Sequence, residues 1–306
     1  MRIATSLPSA TEIVYALGAE PVAVSHECDH PPEAAEKPAL NRSRVDPKAS
    51  SGEIDDQVLE AEEGDGVYEI DLDALEAADP DLVVTQGICE VCAVDSVFVE
   101  DAIAELGLDA ETLTTDPHSL GDVFADIQEI GTAIGKEHRA GELCTDLRKR
   151  VRAVESRIEG IDARPRVAVL DWLDPVMVAG HWVPELVETA GGTYDLAAPG
   201  DRSEPREWAD VREYDPEVVV AAPCGFDLDQ TEENLADLTD RSGWKELSAV
   251  RDGRTVAIDG SQFLNRPGPR LVDSLELLAQ VIHPEAFEAG DPVATEGIEP
   301  LVAPPA

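Results

Sequence analysis

The chain has 306 residues, enough for one large domain or two medium ones with substantial cores, and its hydrophobic fraction of 43% is that of an ordinary globular protein. Its charge is not ordinary: 65 acidic residues stand against 23 basic ones, a formal net charge of −42. Such a surface repels nucleic-acid backbones and anionic membranes, which excludes both as partners.

The excess acid reads as a solvated coat of the kind salt-adapted, halophilic proteins carry. Salt shortens the Debye length to roughly 3 Å at 1 M, so full stability is expected to need it. No apolar run approaches the about 20 residues that a membrane-spanning helix requires, so no membrane insertion is expected. The opening MRIATSLPSATEIVYALG lacks a basic region, an apolar stretch and a small-residue cleavage site in that order. As written, the protein is therefore expected in the cytoplasm, and five cysteines, an odd number, fit a reducing compartment.

The first strand is predicted near residues 2–6, followed by PSATE. The second, near 22–25, runs into HECDHPP, and the third, near 82–85, into QGICEVC; a fourth lies near 111–114. From 117 to 161 apolar residues recur at helical spacing (Val123, Ile127, Ile130 and Ile134, then Leu143, Leu147, Val151, Val154 and Ile158) with Ser119 as N-cap. This reads as one long helix, with Gly135 as the place for a break. Strands are then predicted near 166–170, 176–179, 217–222 and 254–258, followed in turn by DWLDP, AGHW, PCGFD and DGSQFLNRPGPR. The last stretch after about 288 is rich in Pro and Ala and aperiodic, and is expected to be loose.

Strands alternating with helices argue for an α/β protein with parallel sheets covered by helices. The domains follow: an N-terminal lobe over 1–116, a linking backbone helix over 117–161, a C-terminal lobe over 162–288 and a loose tail over 289–306. The lobes echo one another. Glu12 to Gly18 and Glu185 to Gly191 share E-[IL]-V-x-x-[LA]-G, and Asp79–Val84 matches Asp215–Val220 as D-P-[DE] before a valine-rich strand. Two echoes in the same order favour an internal duplication.

In open parallel sheets, ligands bind beyond the carboxyl ends of the strands. The segments at those ends hold most of the cysteines, His26, Phe226, Phe263, His181, Trp182 and Trp172. Aromatic, thiol and imidazole groups together suit a large, flat, partly apolar ligand in a cleft. Cys89 and Cys92 have three readings. They line the pocket; or, with Cys28 and His26, they complete four ligands for zinc or another thiophilic ion; or they form a redox pair. The last is the weakest, since Glu90 and Val91 stand where a redox motif has Pro or Gly. Cys144 reads as a small buried hydrophobe. The chain contains no G-x-S-x-G, no H-E-x-x-H and no phosphate-cradling glycine loop, so no catalytic residue and no required cofactor is assigned.

The segments SLPSATEIVYALG, HECDHPP, LVVTQGICEVCAV, VAGHWVPELVETAGG and NRPGPRLVDSLELLA resemble the landmarks of a family, the BtuF-like, cobalamin-binding branch of the class III solute-binding proteins or helical-backbone metal receptors. The resemblance implies two α/β lobes joined by one long backbone helix, a ligand cleft between them, and a non-catalytic protein that hands a corrinoid, haem, siderophore or metal to an ABC importer. Carried over position by position, the ligand-facing residues would be Ser6, Pro8, Ser9 and Thr11, then His26, Glu27 and Cys28, then Gln86, Cys89 and Cys92. From the other lobe would come Trp172, His181, Trp182, Cys224, Phe226, Asn265 and Arg266. His26, His181 or a cysteine would approach the cobalt of cobalamin. Glu12 and Glu185 would dock on the permease, although each is also an acid at a helix N-terminus, where the macrodipole favours it. Proteins of this class work outside the cytoplasm, so a transport role would place this one there too.

Overall fold

The computed structural model describes residues 1–64, 66–88, 96–287 and 298–301. The chain divides into two compact units. The first comprises 1–49, 56–117 and 121–146; the second comprises 50–55, 118–120 and 147–306.

Up to residue 117 the elements are β1 (Ile3–Thr5), α1 (Pro8–Ala16), β2 (Asn41–Ser43), α2 (Ser51–Glu62), β3 (Tyr68–Ile70), α3 (Leu72–Ala78), β4 (Leu82–Gln86), α4 (Ser96–Leu106) and β5 (Glu111–Thr115). Strands β1, β4 and β5 form a parallel sheet in the order β1-β4-β5, with Ile3 opposite Leu82 and Leu82 opposite Glu111. The strand expected near 22–25 joins it through a single parallel bridge, Ala4 to Ala23, and makes another with Ala39 through Val24. All five residues of β4 are buried, as a central parallel strand covered on both faces requires. A separate antiparallel pair, β2 with β3, was not legible in the sequence.

The long helix predicted over 117–161 is two helices, α5 (Leu120–Ala133) and α6 (Glu137–Ile158), and the break falls where Gly135 takes a left-handed φ of +68°. The boundary between the units lies within α6. Ile127 and Ile130 are fully buried, as their spacing predicts, and so is Cys144, the cysteine read as a small buried hydrophobe.

Helices α5 and α6 approach closely because Gly131 has no side chain. A Cβ there would lie 2.5 Å from the Cβ of Ala140. Gly131→Ala is therefore expected to destabilise by about 1–3 kcal/mol, despite alanine's better helix propensity. Gly141→Ala on α6, where a Cβ meets nothing within 4 Å, should stabilise by about 0.5–1 kcal/mol. Urea unfolding of both variants checks the pair, and equal effects would contradict the packing.

The second unit continues with β6 (Val167–Trp172), β7 (Met177–Val178), α7 (Val183–Thr189), β8 (Glu204–Pro205), α8 (Trp208–Tyr214), β9 (Val218–Ala221), α9 (Leu228–Glu233), α10 (Ala236–Thr239), α11 (Ser248–Arg251), β10 (Thr255–Ile258), α12 (Leu271–Ile282) and β11 (Ile298–Pro300). Six strands form one sheet in the order β11-β10-β9-β6-β7-β8, parallel across β10, β9 and β6 and antiparallel at its edges. Of the tail expected to be loose, Ile298–Pro300 pairs with β10, Ile298 lying opposite Ile258.

The internal repeat recurs at the level of single hydrogen bonds. The Arg2 carbonyl accepts from the amides of Asp81 and Leu82, and that of Arg166 from Glu217 and Val218. Arg2 Nε donates to the carbonyls of Ala78 and Asp79, and Arg166 Nε to those of Tyr214 and Asp215. In each case the aspartate before proline ends a short helix in the left-handed region, with φ of +41° at Asp79 and +45° at Asp215. The guanidinium binds the carbonyls that such a helix end exposes. Helices α1 and α7 also end alike: Gly18 donates to Tyr15 and Ala19 to Val14, as Gly191 does to Glu188 and Gly192 to Val187.

Candidate functional site

In the first unit the ends of β1 and β4 bring together a polar group. Ser6 Oγ donates to Thr85 Oγ1 at 2.9 Å, and Gln86 is buried at the end of β4. The sequence did not single out Asn41, yet it is the hub. Its Oδ1 accepts from the His26 amide at 3.0 Å and from His26 Nδ1 at 2.9 Å, and its Nδ2 donates to the Ser6 carbonyl at 3.4 Å. With Nδ1 donating, Nε2 is the acceptor nitrogen of His26, and it lies 3.8 Å from Glu27 Oε1. His26 also packs against Tyr68, with ring centroids 5.7 Å apart.

Thr11 and Cys28 sit deeper. Thr11 Oγ1 lies 2.6 Å from Thr5 Oγ1 and 3.0 Å from Cys28 Sγ. Cys28 is buried and packs with Val24 and Ala34. Pro8 opens α1, and Ser9 is buried within it. Glu12 is only 3% exposed because α1 is buried along Ser9–Val14. The docking role foreseen for Glu12 is thus corrected: a carboxylate so enclosed offers nothing to a partner surface. Cys89 and Cys92 lie outside the described residues. Among the described residues, no group of three or more His, Cys, Asp or Glu is arranged to hold a metal ion.

In the second unit the strand ends carry the aromatic side chains, as foreseen. Trp172, the last residue of β6, packs against Phe226 after β9, with ring centroids 5.0 Å apart and planes at 58°. Its indole Nε1 donates to the Ser51 carbonyl at 3.2 Å. Trp182 Nε1 donates to the Leu264 carbonyl at 2.6 Å. His181 lies over Trp182 with ring centroids 5.4 Å apart, and His118 lies 6.2 Å from His181. His118 was missed, since nothing in sequence ties it to a residue so far along the chain. Cys224 is a half-buried free thiol whose amide donates to the Asp171 carbonyl at 3.0 Å. Asn265 Nδ2 bonds the carbonyls of Ala222 and Gly260, so its role here is to pin the turn after β10. Arg266 is half-buried in that turn. Glu185 Oε2 accepts from the Leu120 amide at 2.9 Å. That carboxylate is already engaged at a helix N-terminus, which is the structural alternative to docking.

The backbone around the aromatic set is strained. Leu264 has a φ of +65°, a region that a bulky side chain seldom adopts, and His181 has a φ of +53°, which histidine tolerates better but still uncommonly. Asp171, in β6, has an Oδ1 that is buried with no hydrogen-bond partner among the described residues. Burial pushes its carboxyl up to about 6, against the opposing effect of the bond from Ser203. Neither Asp171 nor Ser203 stood out in a chain of 65 acids.

The architecture has known counterparts. The Pseudomonas aeruginosa periplasmic haem-binding protein is 21% identical, with a TM-score of 0.72, over 95% of this chain and 96% of that one. The vitamin B12-binding protein BtuF of Vibrio cholerae is 20% identical, with a TM-score of 0.68, over 93% of this chain and 97% of that one. The ABC transporter substrate-binding lipoprotein YvrC of Bacillus subtilis (strain 168) is 23% identical over 295 residues, 94% of this chain and 81% of its own length. The family model described as periplasmic binding protein matches residues 3–261. With its two α/β units, parallel central strands and chemistry gathered at the strand ends, the chain belongs to the periplasmic binding protein family.

Proposed function

We propose that this protein is the non-catalytic solute-binding component of an ABC importer, working outside the cytoplasm, and that its ligand is cobalamin or a related corrinoid. An extracytoplasmic site replaces the cytoplasmic one that the opening residues suggest. It is supported by the lipoprotein and periplasmic descriptions of the relatives.

One observation carries the choice of ligand. Aromatic rings stand at the strand ends of the second unit and neutral hydrogen-bonding groups at those of the first, in a chain whose net charge is −42. Trp172, Phe226, His181 and Trp182 suit a flat ring system. Ser6, Asn41 and Gln86 suit an edge of uncharged amides, as a corrinoid presents. Haem has two carboxylates at its edge and many siderophores are anionic, so a strongly acidic protein repels them at low salt, and only at close range where salt screens the charge. Haem remains the second reading because of the His118–His181 pair, since haem iron accepts imidazole as an axial ligand. The zinc reading rests on Cys89 and Cys92, with Cys28 and His26 as their partners.

Titrating the protein with cyanocobalamin while following the visible spectrum tests the proposal. Saturable one-to-one binding with a Kd of about 1 μM or tighter is expected, roughly 8 kcal/mol of binding free energy. No binding at tens of times that concentration would remove the corrinoid.

A further inference from the structure

The turn that carries His181 and Trp182 is held by a short loop. The His181 amide donates to the Asp201 carbonyl at 2.5 Å, and the His181 carbonyl accepts from the Gly200 amide at 2.8 Å. The Gly180 amide donates to Ser203 Oγ at 3.0 Å, and the Ser203 hydroxyl donates in turn to Asp171 Oδ2. The contact leaves no room for a side chain: a Cβ on Gly180 would lie 2.6 Å from the carbonyl carbon of Arg202 and 2.7 Å from the Ser203 nitrogen. A strained backbone persists only where its surroundings over-determine it, and here that constraint can be traced bond by bond from His181 to the sheet.

We propose that Asp171 and Ser203 are positioning residues for the His181–Trp182 turn, tying the ligand-facing rings to the end of β6. The inference rests on the reading above for what the rings contact, but the tie itself belongs to the protein alone. Asp171 is the one member whose strength varies. Ionised, it accepts a charge-assisted bond from Ser203, stronger than a neutral one. Protonated, it holds Ser203 more weakly. The loosening is therefore expected as pH falls through about 6, where burial places this carboxyl.

Of the titratable and charged groups nearby, Tyr194 from the segment after α7 feels the Asp171 charge, Arg206 from the segment after β8 acts on Tyr194 in turn, and the Cys224 amide after β9 donates to the Asp171 carbonyl. Tyr194 donates to the Ala179 and Val169 carbonyls, and burial first, then the Asp171 charge, keeps it neutral. His181 also carries a titratable ring, so the experiment must separate the two.

Amide hydrogen exchange on the ligand-free protein does so without any ligand. Protection of Gly180 and His181 should fall about tenfold in Ser203→Ala. In wild type it should fall on acidification with a midpoint near pH 6. Asp171→Asn keeps a neutral acceptor for Ser203 but cannot ionise, so protection should stay near the reduced level that wild type reaches in acid and lose its pH dependence between about pH 5 and 8. A parallel titration with cyanocobalamin should show affinity down about tenfold in Ser203→Ala, with the same pH midpoint in wild type and none in Asp171→Asn. Unchanged protection in Ser203→Ala, or a midpoint that survives in Asp171→Asn and so belongs to His181, would overturn the proposal. If cyanocobalamin fails to bind wild type, the ligand reading falls, and the exchange rates still decide the positioning role.

Discussion

Lowering potassium chloride from about 1 M to about 0.01 M is expected to drop the thermal midpoint by roughly 10 °C or more. The argument starts from 65 acidic residues against 23 basic ones. Even if every cation were paired one to one, 42 carboxylates, the difference of those two counts, would have no partner of opposite charge. Some of the cations present are shared between two carboxylates. Arg150 bonds both Asp273 and Glu276, and Arg166 lies 3.3 Å from Glu217 and 3.7 Å from Asp215. Surface carboxylates repel one another over the Debye length, which grows from about 3 Å to about 30 Å across that salt range. Unfolding relieves the repulsion by spreading the charges apart. A few kcal/mol of relief is enough, since about 1 kcal/mol shifts the midpoint of a chain of this size by about 2–4 °C. Differential scanning calorimetry across the range checks this, and a midpoint independent of salt would mean that the acidic coat costs the fold nothing.

The second large effect is at Asp126, on the buried side of α5. It is 8% exposed, and its Oδ2 accepts no hydrogen bond among the described residues. Burial first, then the charges of Glu129, Asp122 and Asp116, push its carboxyl up to about 7. Because the folded state holds this proton more tightly than the unfolded chain, the native protein binds more protons between about pH 4 and 7. Stability from this group is therefore greatest below about pH 4, declines as pH rises to about 7 and is flat above. The full displacement would amount to about 4 kcal/mol, which solvent screening at this partly wetted site reduces to about 2. Asp126→Asn should thus match wild type near pH 4 and exceed it by about 2 kcal/mol at pH 8 in urea unfolding. A variant less stable than wild type at pH 8 would show that the charge is compensated.

Much of the fold was legible because its central strands are valine-rich runs that follow Asp-Pro, and because α6 keeps a clean apolar stripe after Gly135. The strands that escaped notice, β2, β3, β8 and β11, are short edge or hairpin strands. They read NRS, YEI, EP and IEP, and two or three residues carry no alternation to detect. In the candidate site, Trp172, Phe226, His181 and Trp182 could be picked out because they lie at a strand end or within a few residues after one. Asn41, His118, Asp171 and Ser203 could not. Their roles come from hydrogen bonds and ring contacts made across long stretches of chain, and an aspartate among 65 acids has no local signature. Glu12 misled for a related reason. An acid in the first turns of a helix looks exposed, and only the burial of α1 on all sides shows otherwise.

The choice of ligand is tested most directly by titrating one preparation with cyanocobalamin and with hemin under the same salt and pH. The account predicts that cyanocobalamin binds at least about tenfold more tightly, a difference of about 1.4 kcal/mol. Hemin binding with equal or greater affinity would contradict it, and would make the His118–His181 pair, rather than the neutral polar groups and the acidic charge, the feature that selects the ligand.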